Sequence, residues 1–117
     1  MALITHTVQQ ALSEEIEGAE LAFKLGAGRL ILADTAEEVL FGGTVYPEEP
    51  TGRYAESGGK ARYTVEADYP AFYPTPLQWE LGLTRQVPLD VSVENGAGEL
   101  FLALERVQLE GIRVQQG

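Results

Sequence analysis

Between Leu77 and Val93 the apolar side chains fall on every second position: Leu77, Trp79, Leu81 and Leu83, then Val87, Leu89, Val91 and Val93, with Gln78, Glu80, Thr84, Asp90 and Ser92 between them. A period of two puts one face of an extended strand against a core and the other in water, whereas a helix would place the same residues all round its axis. Leu21, Phe23 and Leu25 alternate in this way, as do Leu30 and Leu32, and Val39 to Val45 and Tyr63 to Val65 are weaker candidates. Trp79 stands within the alternation and is expected in the core. Only the start of the chain leaves the period open. There Val8, Ala11, Leu12 and Ile16 fit a helical face with Ser13 as its cap, while Ile4, His6 and Val8 fit a strand, so residues 1–17 stay undecided.

The chain also writes one short phrase twice: residues 26–32 read GAGRLIL and residues 96–102 read GAGELFL. Two glycines with one residue between them open the dinucleotide-binding fingerprint, but Ile31 and Phe101 occupy the place of its third glycine and a strand follows where a helix is required. A bend is the better reading, because glycine supplies positive φ at no steric cost. Gly26, Gly28, Gly96 and Gly98 are therefore the expected structural turns, and Asn95-Gly96 is in addition a favoured hairpin dipeptide. A hairpin does not account for what comes next. Apolar pairs fall at Leu102 and Leu104, at Val107 and Leu109, and at Ile112 and Val114, stepping by five residues. Each break in the alternation is what a corner does in a coiled sheet, and stacked rungs bury a continuous core between neighbours. On this reading Leu100, Leu102, Leu104, Val107, Leu109, Ile112 and Val114 are buried and Glu105, Gln108, Glu110 and Arg113 are in water. GAG is then a corner repeated from one layer to the next, and Gly117 stands where a third would begin.

The middle differs in composition. Five of the six prolines lie between Pro47 and Pro76, and seven of the ten aromatic residues lie between Tyr46 and Trp79. Residues 45–76 read as an irregular excursion with short edge strands, and Thr51 to Arg62, with Gly52, Gly58 and Gly59, as an exposed hairpin. At 117 residues the chain is one domain, 1–117, large enough for its own core. The fold class is all-β, with short strands stacked in rungs.

Charge and composition remove several functions. Eighteen acidic against eight basic residues give a net charge of −10, which opposes nucleic acid and anionic membrane surfaces. There is no cysteine, hence no disulfide and no thiolate metal site. No stretch reaches the roughly 18 apolar residues of a membrane-spanning helix, and the N-terminus lacks a signal-peptide pattern. Catalytic candidates are thin, with His6 alone near one end and no serine in a nucleophile elbow. The neighbouring carboxylates Glu14 and Glu15, Glu37 and Glu38, and Glu48 and Glu49 would point to opposite faces of a strand. Asp90, Ser92 and Glu94 have the opening spacing of a calcium loop, but Asn95 and Phe101 stand where its glycine and closing glutamate belong. No enzyme activity, metal or cofactor is expected. The run DYPAFYPTPLQW, residues 68–79, is the best binding candidate: Tyr69, Phe72 and Tyr73 could seat a sugar ring or a proline-containing partner, or cap one end of the sheet. Arg53, Lys60 and Arg62 with Tyr54 and Tyr63 make a weak basic patch.

The Trp79, Leu81, Leu83 strand, the Pro88, Leu89, Asp90, Val91 strand, the Gly96-Ala97-Gly98 turn and the ladder from Leu100 to Val114 together resemble the toast-rack domains of bacterial envelope proteins, the LiaF-like family. The earlier GAELAFKLGAGRLIL resembles the opening strand pair of that family's N-terminal domain, so the likeness spans about residues 15–117 and is weakest from Pro47 to Tyr73. The resemblance implies a non-enzymatic structural or protein-interaction domain of a membrane-tethered envelope or cell-wall stress-response protein. It also implies a domain excised from a longer chain, with any membrane segment outside it. The expected partner is another protein or the following domain, and the open edge of strand 112–115 is expected to self-associate. The alternative is a carbohydrate-binding module that takes cell-wall glycans on the aromatic residues between Tyr63 and Tyr73.

Overall fold

The computed structural model describes residues 6–46, 50–67 and 77–116. Eight strands account for most of them: β1 (His6–Ala11), β2 (Gly18–Thr35), β3 (Val39–Tyr46), β4 (Thr51–Ser57), β5 (Lys60–Glu66), β6 (Leu77–Thr84), β7 (Leu89–Ala103) and β8 (Leu109–Gln116). The open start of the chain is thus strand. β1 lies antiparallel to β3 with alternating exposure, so the period-two reading of His6 and Val8 outweighs the helical one.

The two long strands organise the molecule. Along one edge β2 pairs in parallel with β5 through residues 18–24 and with β6 through residues 28–35; along the other it pairs in parallel with β7 from Ala19↔Leu89 to Ala33↔Ala103. The sheet therefore has two walls that share β2 and β7. One wall runs β4-β5-β2-β7-β8 and the other β1-β3-β6-β2-β7. The segment between β5 and β6, where the proline and aromatic residues concentrate, stands in sequence where the other rungs have GAG. The Thr51–Arg62 excursion is the β4–β5 hairpin, closed by Gly58 and Gly59 at φ 59° and 78°, the mirror-image turn that matches strand twist.

The GAG segments bend these strands without ending them. In β2 the buried side chains are Leu21, Phe23 and Leu25 before the bend but Leu30 and Leu32 after it. The inward phase has moved from odd to even positions. Because a one-residue slip exchanges the faces of a strand, a bend with one slip lets both walls of an L face the same core. The second copy does the same, from Val91, Val93 and Asn95 to Leu100. Gly28 and Gly98 carry the conformation, at φ 138° and 126°, and they are partners in the β2–β7 ladder. Close stacking also excludes a side chain: a Cβ on Gly98 would collide with the Gly28 carbonyl oxygen, and one on Gly96 would lie 2.5 Å from that of Gly26.

Asn95-Gly96 is not a hairpin turn. Strand β7 continues through it, and Asn95 is fully buried inside the corner, its Nδ2 donating to the carbonyls of Gly28 (3.5 Å) and Glu99 (3.4 Å). The amide bonds the turn of its own rung to the one beneath, which the dipeptide pattern did not reveal.

After β7 the chain turns inward at Leu104 and Val107, which are buried, and enters β8 stacked in parallel on the first half of β7. Val107 N–H donates to the Leu104 carbonyl at 3.1 Å, and Gln108 donates its side-chain amide to the Arg85 carbonyl at 2.8 Å. The far ends of the rungs are held by Arg85, whose Nε donates to Asp34 at 2.7 Å. The core contains Phe23, Phe41 and Trp79, all 2% exposed or less. Phe23 meets Phe41 edge to face at 6.0 Å.

Candidate functional site: the open rung

The ladder expected to be buried is only partly so. Leu104 and Val107 are in the core and Leu100 packs against it, but Leu102, Leu109, Ile112 and Val114 are 42, 38, 45 and 43% exposed. Their direction is as expected. Leu102 is the ladder partner of the buried Leu32, and Leu109, Ile112 and Val114 are those of the buried Leu89, Val91 and Val93. They point into the stack, but among the described residues no further rung lies over them. Alternation gives the direction of a side chain, and only the number of layers above it gives its burial.

With Phe101 at 50%, five of the six exposed large hydrophobic residues among those described lie on β7 and β8. Two backbone edges are open there among the described residues. β8 pairs only with β7, and it covers β7 only along residues 89–95, so residues 99–103 have β2 on one side and no strand on the other. A contiguous apolar row beside unpaired backbone is a surface suited to a strand partner. Completing the burial of those four inward side chains would contribute on the order of 1 kcal/mol each.

Charge frames this end. Arg29 pairs with Glu99 at 2.8 Å and its guanidinium lies 5.7 Å from the centre of the Phe101 ring. On the outer face of the first wall, Glu20, Arg62, Asp90, Ser92 and Arg113 line a trough of about 360 Å³. Gly111 sits opposite Asp90 in the ladder, and the Asp90 carboxylate leans over it: a Cβ there would lie 2.7 Å from Asp90 Oδ1. Arg62 binds Glu20 at 2.8 Å and Lys60 lies 3.9 Å from the same carboxylate, so two of the three cations in the expected basic patch share one acidic partner within the chain.

The other candidates are placed as follows. Tyr69, Phe72 and Tyr73, like Glu48 and Glu49, lie outside the described residues. Tyr63 is half-buried, its ring 4.8 Å from that of Phe41 and 5.8 Å from that of Tyr54. The Tyr54 phenol is raised above its ordinary pKa, first by burial and then by the Glu56 carboxylate, which accepts its hydrogen bond at 3.2 Å. His6 lies on β1, and Glu14, Glu15, Glu37 and Glu38 are exposed between strands. Among the described residues no three of His, Asp or Glu converge as metal ligands.

A family profile described as the N-terminal domain of toast_rack matches residues 4–117. The chain belongs to this family. The toast-rack domain is also similar to a crystal structure from Clostridium sporogenes described as that of a candidate cell adhesion protein. The two share a TM-score of 0.86 at 18% identity, over 98% of this chain and 57% of the other, so the likeness is one of fold. This chain thus spans little more than half of that protein's length. No curated protein matches it. No helix among the described residues is long and apolar enough to cross a membrane.

Proposed function

We propose that this toast-rack domain is a non-enzymatic structural and protein-interaction module of a membrane-tethered bacterial envelope protein, serving cell-wall stress response or adhesion, and that the open rung is its contact face. One observation carries the reading: Leu102, Leu109, Ile112 and Val114 are core-directed side chains left beside unpaired backbone. A water-soluble surface that serves no partner seldom keeps such a row. Placement in the envelope is supported by the family and by the description of the Clostridium chain.

Protease mapping tests it. In the membrane-tethered protein β8 should resist cleavage that the isolated domain suffers, and Ile112→Lys with Val114→Lys should remove the protection while leaving the domain folded. Equal cleavage of β8 in the tethered and isolated forms would show that nothing covers the face. Saturable binding of soluble cell-wall glycan fragments by the isolated domain would instead move the site to the aromatic residues between Tyr63 and Tyr73.

A further inference from the structure

We infer that the occupant of the open β8 edge is a second copy of the same domain, joined through an antiparallel β8–β8 pair centred on Ile112. The inference rests on the open rung being a contact face, and it adds a partner and a register. β8 is an edge strand whose inward row, Leu109, Ile112 and Val114, is 38–45% exposed, and a two-fold copy would bring its own Ile112 against the middle of that row.

The outward side chains choose the register. Residues directly opposite in an antiparallel pair share a face. Centring the pair on Arg113 would set one guanidinium against the other, a like-charge contact that opposes pairing. Centring it on Ile112 sets each Arg113 opposite the Gly111 of the other copy. Gly111 has no side chain, and the Asp90 carboxylate already leans over it, one strand further in. With strands about 4.8 Å apart, an arginine reaching across a bare glycine meets that carboxylate. Symmetry forms the ion pair twice. Arg113 is exposed, and its ladder neighbour on β7 is Ser92, not an acid. In the same register Ile112 lies opposite Ile112 of the other copy, while Val114 lies opposite Glu110.

Long-range charge opposes the contact, since each copy carries −10. Association should therefore strengthen as salt is raised from low ionic strength, because the net repulsion acts over a longer range than the paired charges.

Sedimentation equilibrium of the 117-residue chain, with a charge exchange, tests the proposal. Arg113→Asp and Asp90→Arg should each weaken the dimer by about tenfold or more, and the double exchange should restore it to within about threefold of the unaltered chain. Circular dichroism reports whether each variant is folded. A folded monomer at millimolar concentration overturns the inference. So does a dimer indifferent to both single exchanges, or one whose double exchange brings no recovery. If a longer form of the protein remains monomeric while protecting β8 from hydrogen exchange, the edge belongs to a segment of the same chain; the second copy is then rejected and the contact face is retained.

Discussion

Gly98 is asked for two things that only glycine supplies, a φ of 126° and a backbone passing so close to Gly28 that no Cβ fits. Gly98→Val should cost more than about 1 kcal/mol of unfolding free energy, read from urea denaturation, because a branched side chain resists that conformation as well as the contact. Gly26 supplies the contrast. A Cβ added there meets nothing within 4 Å, so Gly26→Ala should be neutral or stabilise by up to about 1 kcal/mol through the unfolded chain. A Gly98→Val variant as stable as the unaltered protein would mean the corner is not held by backbone conformation. Tyr54 offers a pH-dependent test. Its raised pKa means the folded state favours the protonated phenol, so its contribution is complete below the ordinary value of 10.0 and is lost as pH rises through the higher folded value. In an ultraviolet titration the change removed by Tyr54→Phe should lie above that of the free amino acid.

Among the strands, a matched pair of leucines separates direction from burial. Leu32 and Leu102 face each other in the ladder on adjacent rungs, yet Leu32 is wholly buried and Leu102 is 42% exposed. Leu32→Ala should therefore cost about 2–5 kcal/mol in urea denaturation, and Leu102→Ala under about 1.5 kcal/mol, since most of a cavity at the open rung is already solvent. Equal losses would mean that the last rung is covered in solution. Strand direction was legible in the sequence for Leu77 to Val93, because a strict alternation leaves only one face for a core. The GAG bends and the turn between Leu104 and Val107 were legible as well, but the second break in the five-residue stepping, between Leu109 and Ile112, is a bulge within β8 and not a corner. The role of Asn95 was not legible. A polar residue beside glycine has the local chemistry of a turn, and only the rung beneath, with its Gly28 carbonyl, makes it a buried corner amide.

For the molecule as a whole, charge is the term the fold leaves uncompensated. The ion pairs of Arg29, Lys60, Arg62 and Arg85 engage Glu99, Glu20 and Asp34, while the chain keeps ten net negative charges. Raising sodium chloride from about 0.01 M to 0.15 M shortens the screening length from about 30 Å to 8 Å and should raise the melting temperature, because net repulsion is screened more than contacts at 2.8 Å. A melting temperature that falls with salt would show that the surface pairs outweigh the repulsion.

By itself the sequence determined that the chain is built of strands, where those strands bend, and which side chains point inward. Each follows from the period of the apolar residues and from the backbone freedom of glycine, both of which act within a few residues. Tertiary structure decided which strands became neighbours. The pairing of β2 with β5, β6 and β7 joins residues as many as seventy positions apart, and no local pattern specifies such a partner. It also decided that the inward faces of Leu102, Leu109, Ile112 and Val114 remain open to water. Burial depends on what is stacked above a side chain, and the last rung has nothing above it among the described residues.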